Sequence, residues 1–419
     1  MNRFFILLIF LILVVPCSSQ DLVYVRHTVA RLASPAMHGR GYVHKGDKKA
    51  ACFVRHEFRK INLQPFTPDY FQYFSFPVNT FPGKMVFKAG KQRLHAGSDY
   101  LISCSSPGIR GTFGTVYPDD VDGVIETELL MRDTVAFKNK FIILRQNNEL
   151  LRDTNLLGAR GIIFLTGGPL SWRVSNCSRA GRFVVADVLK SGVPDSITGV
   201  TLNIRNRYYP SYTSQNVIGY LTGSVSPDTW IVFTAHYDHL GKMGCHAYFP
   251  GAHDNASGVA MMLDLARHYA RPENRPACSM AFIAFGGEEL GLVGSEYYTE
   301  HPLFPLENIK FLINLDLMST GSEGIMVENG TGQEKEFNTL VAINDTTGLL
   351  KAIKKRVTSP NSDQYYFYKK GVPSVFIYTL GKEYSEYHTV RDKAAGLPFT
   401  AYDPLFLLIE KFITAIEKQ

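Results

Sequence analysis

From about residue 215 onward, apolar strand-like segments alternate regularly with helix-like segments. The expected strands are NVIGYL, TWIVFTAHYD, CSMAFIAFGG, IKFLINLDLM, GIMVENG and VPSVFIYT, and helices are expected at 257–270, from residue 291 and from about residue 401. Strands that alternate with helices of this length predict an α/β sheet with helices on both faces. We therefore expect a three-layer α/β/α sandwich with a mixed, mostly parallel central sheet.

Side chains able to bind metal ions stand at the ends of these strands or just after them. They lie in HYDHLG (236–241), GAHDNASG (251–258), GGEELG (286–291), NLDLMS (314–319) and YHT (387–389). The candidate ligands are His236, Asp254, Glu289, Asp316 and His388. Ligand sites in open α/β sheets lie beyond the carboxyl ends of the strands, so we expect these side chains to converge.

Imidazole nitrogen and carboxylate oxygen are both good ligands for zinc. Two such ions about 3.5–4 Å apart can stabilise both oxygens of a hydrolytic displacement. Five ligands in this order can supply two metal sites that share one carboxylate. The pattern therefore predicts a di-zinc exopeptidase.

Purely structural roles compete with metal binding at several of these positions. Asp254 is well suited to cap the helix that follows it, and Glu288 and Glu289 suit the positive end of the next helix. Asp316 is harder to explain in this way, because a charge inside the apolar segment FLINLDLM is costly unless it is paired or coordinated. The set as a whole favours metal binding.

Two neighbouring carboxylates are candidates for supporting chemistry. Strand alternation places Asp238 on the same side as His236, where it can hydrogen-bond the imidazole and fix its tautomer. Glu288 stands next to the candidate ligand Glu289, so it can take a proton from the attacking water.

The motifs HYDHLG, GAHDNASG, GGEELGLVGS, NLDLMS, SDQYYFYKKGVP and YHT, in this order, resemble those of the secreted di-zinc aminopeptidases, the phosphorylase/hydrolase-like peptidases. The resemblance covers about 21–95 and 209–419. It implies that N-terminal residues are hydrolysed from peptides by a water activated by two zinc ions. It further implies the ligand assignment: His236 and Asp316 on the first zinc, Glu289 and His388 on the second, and Asp254 bridging both.

The resemblance also implies roles for three catalytic residues. Glu288 would be the general base, Asp238 would orient the first histidine ligand, and the hydroxyl of Tyr387 would stabilise the oxyanion. The chain departs from the family pattern at Gln364, which replaces a His or Tyr. The run after YHT is also short, which leaves a supporting role for Asp392 open.

The segment 97–208 has a different texture from the rest of the chain. Short β-type runs such as KFIILRQ and GIIFLTG are separated by Gly, Pro, Asp and Asn, and no ligand cluster occurs among them. We expect a β-rich insert, which resembles the protease-associated domain of many family members. The expected boundaries are a signal peptide at 1–19, catalytic-domain segments at 20–96 and 209–419, and the insert between them. The insert is expected to limit access to the cleft, with a passive spacer as the alternative.

The N-terminal segment predicts export. Arg3 precedes an apolar run at 4–15, which is shorter than the roughly 20 residues that span a bilayer but fits a signal-peptide core. We expect a periplasmic or extracellular protein with no stable transmembrane segment after processing. A lipoprotein anchored through Cys17 is the alternative, although Pro16 fits that reading poorly.

Composition excludes few functions. The formal charge of +6 is spread over 419 residues without a concentrated basic face, which argues against nucleic-acid binding. The cysteines after the signal segment are Cys52, Cys104, Cys177, Cys245 and Cys278. This odd, sparse set leaves one or two disulfides open and fixes no pairing. The partners we expect are peptide substrates, and the oligomeric state is not determined.

Three rival functions share the expected scaffold. One is a single-zinc aminoacyltransferase like glutaminyl cyclase, which metal stoichiometry would distinguish. Another is a carboxypeptidase, for which Arg391 is the one nearby candidate to bind a substrate carboxylate. A non-enzymatic receptor is disfavoured, because every ligand position and Glu288 are filled.

Overall fold

The computed structural model describes residues 21–117, 137–145, 147, 149–155 and 158–418. The predicted signal peptide and Cys17 lie outside these residues. In this part of the chain the helices are α1 (Leu22–Leu32), α2 (Gly46–Ile61), α3 (Glu149–Asp153), α4 (Ser257–Tyr269), α5 (Val293–Glu300), α6 (Glu334–Thr347), α7 (Gln364–Lys369) and α8 (Tyr402–Glu417). None of these described helices is long and apolar enough to cross a membrane.

The strands of the described residues form two large sheets and one small hairpin. They are β1 (Gln64–Pro65), β2 (Phe71–Thr80), β3 (Val86–Ala89), β4 (Gln92–Leu94), β5 (Tyr100–Ile102), β6 (Ile109–Val116), β7 (Phe141–Leu144), β8 (Gly161–Thr166), β9 (Val184–Leu189), β10 (Gly199–Ile204), β11 (Arg207–Leu221), β12 (Ser226–His236), β13 (Lys242–Met243), β14 (Ala247–Tyr248), β15 (Cys278–Phe285), β16 (Ile309–Leu315), β17 (Gly324–Glu328), β18 (Ile353–Arg356) and β19 (Ser374–Leu380).

The larger sheet is mixed, as predicted. Its order is β1-β11-β15-β12-β16-β19-β17-β18, and β2 pairs with β11. The four central strands, β15, β12, β16 and β19, run parallel to one another, whereas β11 and β17 join them antiparallel. The parallel centre brings the carboxyl ends of its strands to one edge of the sheet.

Helices cover both faces of this sheet, which confirms the predicted α/β class. Side chains of β12 alternate between the two faces because successive residues of a strand point in opposite directions. Ile231 and Phe233 pack in the core that includes helices α1, α2, α4, α6 and α8. Val232 packs on the other face with Tyr298 of α5 and Phe367 of α7. Burying each such side chain stabilises the fold by about 1.5–3 kcal/mol.

The second sheet has the order β4-β3-β10-β6-β7-β8-β9-β5. We call the part of the chain that forms it, from β3 to β10, the second module; β3 and β4 precede residue 97. A disulfide joins Cys104 to Cys177 within it. Its core is continuous with Leu240, Met243 and Phe249 of the loop after β12, so the two modules share buried apolar surface.

Candidate metal centre

Three neighbouring parallel strands deliver candidate ligands to one edge of the larger sheet. His236 is the last residue of β12, Glu289 follows β15, and Asp316 comes directly after β16. Asp254 lies in a buried π-helical turn before α4, and His388 lies in the loop after β19. All five candidate ligands are buried, and none of these residues is more than 8 % exposed.

The carboxylate of Asp254 lies between the two histidines. Its Oδ1 atom is 3.3 Å from Nε2 of His236, and its Oδ2 atom is 2.9 Å from Nε2 of His388. Nε2 of His236 is also 3.3 Å from Oδ2 of Asp316, and Nε2 of His388 is 3.3 Å from Oε2 of Glu289. The five side chains therefore form two adjoining groups that meet at Asp254.

This donor set fits zinc. Ligand atoms of His236, Glu288 and Asp316 lie within 4.8 Å of one another, as do those of a second group formed by His239, Asp254, Glu289 and His388. Oδ1 of Asp316 is buried without a hydrogen-bond partner among the described residues. A buried carboxylate oxygen of this kind is costly unless a cation or a donor reaches it.

Burial and mutual charge shift the pKa values of the acidic groups strongly. Burial raises the pKa of Glu288 well above its usual range, and nearby His236 offsets this only in part. Burial also acts to raise the pKa of Glu289, but the imidazoles of His388 and His239 bring it down to about 2. Burial disfavours the charged form of His388, yet Glu289 and Asp254 raise its pKa to about 11. Concentrated negative charge therefore calls for positive charge at this site.

Glu288 and Asp238 lie beside the first histidine. Oε2 of Glu288 is 3.9 Å from Nδ1 of His236, and its side chain keeps 11 % of its surface exposed. Nδ1 of His236 is 3.2 Å from the carbonyl oxygen of Asp238 and 3.9 Å from its Oδ1. Oδ1 of Asp238 accepts a hydrogen bond of 3.1 Å from the backbone N–H of Glu288. The carboxylate of Asp238 thus holds the backbone that carries Glu288. The group of Asp238 within hydrogen-bond distance of the His236 ring is its backbone carbonyl and not the expected carboxylate.

Tyr387 lies on the open side of the centre. Its ring stacks on the imidazole of His388 at 3.8 Å between ring centroids, with an interplanar angle of 13°. About half of the residue, 51 %, is exposed. The ring is therefore held against His388 while about half of the residue stays open to solvent.

The sequence-based reasoning missed His239. Nδ1 of this buried histidine lies 2.6 Å from Oε1 of Glu289, and its Nε2 is buried without a hydrogen-bond partner among the described residues. The signal was present in the string HYDHLG, which has a second histidine three residues after His236. A turn after the strand brings this histidine back to the centre.

The sequence-based reasoning also missed Arg40 and left Asp392 open. Arg40 comes from the Gly-rich loop between α1 and α2 and is fully buried beneath the turn that carries Asp254. Burial lowers the pKa of Arg40 to about 10, so it keeps its charge at neutral pH. Asp392 is fully buried on the other side of the same turn.

Comparisons with known proteins agree with this geometry. Residues 216–413 match the model of Peptidase family M28. A probable zinc metalloprotease of Pyricularia oryzae is 38 % identical over 136 residues, which are 32 % of this chain and 26 % of that protein. Aminopeptidase YwaD of Bacillus subtilis is 37 % identical over 123 residues, 29 % of this chain and 25 % of that protein. The match thus spans about a quarter of the length of these curated relatives.

Two solved structures share the fold over almost the whole chain. BSAP, a zinc aminopeptidase from Bacillus subtilis, has a TM-score of 0.69 at 20 % identity and covers 94 % of this chain and 95 % of its own. The aminopeptidase from Aneurinibacillus sp. strain AM-1 has a TM-score of 0.66 at 20 % identity, with 94 % and 93 % covered. At this identity, the likeness establishes the fold and its two-sheet architecture.

Proposed function

We propose that this chain, which belongs to peptidase family M28 through residues 216–413, is a di-zinc aminopeptidase. The observation that carries the proposal is the carboxylate of Asp254, whose two oxygens face His236 at 3.3 Å and His388 at 2.9 Å. A carboxylate in this position can bridge two ions. The relatives named as a zinc metalloprotease and an aminopeptidase support the same activity.

The proposed zinc ligands are the five that the family resemblance implies, and all five lie within the two groups of ligand atoms described above. His236 and Asp316 would hold the first ion, Glu289 and His388 the second, and Asp254 both. When bound, two zinc ions would polarise the scissile carbonyl and make water a better nucleophile at neutral pH. The buried carboxylates and the unsatisfied Oδ1 of Asp316 support this assignment.

Glu288 is the proposed general base. Its carboxylate is almost buried beside His236, and its backbone is held by Asp238. A carboxylate in this position can accept a proton from the attacking water. The proton that it takes from the attacking water can then pass to the leaving amine.

Tyr387 is proposed to donate a hydrogen bond to the oxyanion. Its stacking on His388 holds the ring beside the centre, and about half of the residue is exposed. Donors aimed at developing charge lower the barrier of acyl transfer.

An ion pair of Arg391 supports the removal of N-terminal rather than C-terminal residues. This was the one candidate for binding a C-terminal carboxylate, and its Nε is already 2.9 Å from Oε2 of Glu386. An arginine engaged by an acidic neighbour is a poor anchor for a substrate carboxylate. The cyclase-like alternative would hold one ion where this site offers ligands for two.

The activity is tested with zinc-loaded protein against a panel of aminoacyl-aminomethylcoumarins. N-acetylated versions of the same substrates and peptides with a free carboxyl terminus serve as comparisons. Cleavage of free-amine substrates alone supports the proposal, as does a content of two zinc ions per chain. Hydrolysis of the acetylated substrates, release of the C-terminal residue from the peptides, or cyclisation of N-terminal glutamine would overturn it.

Glu288→Gln is the first variant to make. The amide keeps the shape of the carboxylate but accepts no proton, so kcat should fall by about 10²–10⁴-fold. Zinc content and KM should stay close to those of the unchanged protein. Turnover close to that of the unchanged protein would mean that another group takes the proton.

We also propose that the second module, which extends the expected insert at 97–208 back to β3, is of the protease-associated type and limits access to the site. Two observations support this role. The backbone N–H of Trp172 donates to the carbonyl of His388 at 3.0 Å. Gly97 lies so close to Val390 that a Cβ at this position would be 2.6 Å from Cγ1 of Val390. The exposed neighbour Arg173 offers a test. Arg173→Trp should lower kcat/KM for long peptides more than for dipeptides, whereas Arg110→Trp on β6 should not. Equal effects on both lengths would favour a passive spacer.

Export is the last element of the proposal. The apolar run at 4–15 and the disulfide between Cys104 and Cys177 support an oxidising destination beyond the cytoplasm. N-terminal sequencing of the mature protein tests it. A new N-terminus near residue 20 supports a cleaved signal peptide, one at an acylated Cys17 supports the lipoprotein, and an intact N-terminus contradicts both.

A further inference from the structure

The turn that carries Asp254 is irregular. It runs from Ala252 to Ala256 with non-helical backbone angles at Asp254 and Asn255. The N–H of Ala256 donates to the carbonyl of Gly251 at 3.2 Å. Its other polar groups are buried, so they need partners from outside the turn.

Arg40 supplies donors to one side of this turn. Its guanidinium donates to the carbonyls of Pro250 at 2.6 Å, Gly251 at 2.8 Å and Asp254 at 3.1 Å. The same group donates through Nε to the carbonyl of Tyr237 at 2.7 Å, next to His236. One side chain therefore ties the turn of Asp254 to the end of the strand that carries His236.

Two glycines allow Arg40 to enter this position. A Cβ at Gly39 would lie 2.3 Å from the carbonyl oxygen of Gly241, and one at Gly41 would lie 2.5 Å from the Cα of Gly241. Arg40 itself has a positive φ of 54°. The sequence Gly39-Arg40-Gly41 thus lets the backbone approach the loop after β12 closely enough for the guanidinium to reach beneath the turn.

Asp392 accepts from the other side of the turn. Its Oδ1 accepts from the backbone N–H of His253 at 2.8 Å, and its Oδ2 accepts from the N–H of Asp254 at 3.2 Å. The hydroxyl of Tyr384 also donates to its Oδ1 at 2.8 Å. Asp392 lies four residues after His388, so it links the turn to the loop of the second histidine.

We infer that Arg40 and Asp392 are positioning residues that together fix Asp254 between the two metal sites. The guanidinium of Arg40 binds the carbonyls of the turn, and the carboxylate of Asp392 binds its N–H groups. Each charge therefore faces the end of the peptide dipoles that has the opposite sign. Arg40 sets the turn against His236, and Asp392 sets it against His388. Because the bridging carboxylate belongs to both sites, loss of either partner should weaken both. This inference rests on the proposed function, because it takes Asp254 to bridge two zinc ions.

The experiment measures metal binding directly. Arg40→Lys and Asp392→Asn are stripped with chelator and titrated with zinc and, for its absorption spectrum, with cobalt. Lysine offers three donors at one point and cannot reach carbonyls on opposite sides of the guanidinium. We expect the dissociation constants for both ions to rise about 10–100-fold in each variant, with a changed cobalt spectrum.

Asp264→Asn is the matched control. Asp264 is also a buried carboxylate that accepts from a backbone N–H, that of Asp21, and from a tyrosine hydroxyl, that of Tyr402. It lies on α4, ten residues after Asp254. Its loss should affect stability as much as Asp392→Asn does, but it should leave zinc affinity and the cobalt spectrum unchanged.

Two further measurements keep the inference testable if a variant folds poorly. Tyr384→Phe removes one hydrogen bond of Asp392 and should weaken zinc binding by a smaller factor. Arg40→Ala should regain zinc affinity when guanidinium is added at millimolar concentration, because the ion can occupy the vacated cavity. Unchanged zinc affinity in folded Arg40→Lys, Asp392→Asn and Tyr384→Phe would overturn the inference.

Failure of the proposed function has a different signature. Unchanged protein that binds two zinc ions but cleaves no aminoacyl substrate would sink the aminopeptidase while leaving the positioning roles intact. Variants that retain two tightly bound zinc ions would sink the positioning roles while leaving the activity intact.

Discussion

His239 illustrates how a residue outside the expected ligand set can orient a proposed ligand. The 2.6 Å contact between its Nδ1 and Oε1 of Glu289 fixes one oxygen of that carboxylate, which leaves Oε2 facing His388 at 3.3 Å. Loss of a group that orients a ligand in this way typically costs about 10–100-fold in metal affinity.

We predict that His239→Ala lowers the affinity for one zinc ion by about 10–100-fold. Activity measured at trace zinc should fall, and excess zinc should restore most of it, because Glu289 itself remains. Zinc titration followed by the aminoacyl-coumarin assay measures both effects. His246→Ala, an exposed histidine of the following loop, is the control. Loss of the second ion at every zinc concentration would instead identify His239 as a ligand in its own right.

At the residue scale, the candidate ligands could be predicted but their supports could not. Asp316 was conspicuous because a charge within an apolar strand needs a partner, and it does lie beside His236. Arg40 gave no such signal, since a charged residue in a Gly-rich loop usually faces solvent. Its burial depends on backbone carbonyls contributed by residues around 237 and 250–254, which are distant in sequence.

At the scale of elements, the strand–helix alternation was enough to predict the α/β class. The helix expected at 257–270 is α4 (Ser257–Tyr269), and the closing helix expected from about residue 401 is α8 (Tyr402–Glu417). The strand expected at NVIGYL is the second half of the longer β11, whose first half pairs with β2. Its N-terminal half is rich in exposed polar and tyrosine side chains, so composition alone did not mark it as strand.

Helix α2 carries a buried carboxylate that should make stability depend on pH. Asp47 lies in its first turn and accepts from the hydroxyls of Tyr212 at 2.7 Å and Ser214 at 2.9 Å. Burial raises the pKa of Asp47 to about 6. The folded protein therefore binds this proton more tightly than the unfolded chain, whose Asp has a pKa of about 4. The stabilisation is present below that pH and is lost as the pH rises from about 4 to about 6.

We predict that Asp47→Asn removes this contribution to the pH dependence. The free energy of unfolding of Asp47→Asn relative to the unchanged protein should shift in favour of the variant by about 2–3 kcal/mol between pH 4 and pH 7. Urea unfolding at a series of pH values measures it. Asp345→Asn, at an exposed position of α6, should show no comparable shift. A difference that does not vary with pH would show that Asp47 does not titrate in this range.

At the scale of the whole molecule, the two sheets are expected to unfold together. Leu240, Met243 and Phe249 belong to the loop after β12 but pack in the core of the second module. Separating the modules would expose this apolar surface to water, which is unfavourable at about 25 cal/mol per Å². A shared core of this kind favours a single cooperative transition.

The two tryptophans allow a direct test, because Trp172 reports on the second module and Trp230 on β12. Trp172→Phe leaves Trp230 as the fluorophore, and Trp230→Phe leaves Trp172. The thermal transitions of the two variants should have the same midpoint. Chelator should lower both midpoints together, since zinc at 100 times its dissociation constant stabilises by about 2.7 kcal/mol for each site. Separate midpoints, or a chelator effect confined to Trp230, would show that the modules unfold independently.

The backbone N–H of Trp172 donates a hydrogen bond to the carbonyl of the proposed ligand His388, so docking of the second module and the proposed metal binding should affect each other. Thermodynamic linkage is reciprocal. Whatever factor the docked module adds to zinc affinity, zinc must add to the docking of the module. A ligand or antibody that binds the far surface of the module and shifts its docking would therefore change zinc affinity. In turn, the zinc concentration would change the affinity of that ligand or antibody for the module.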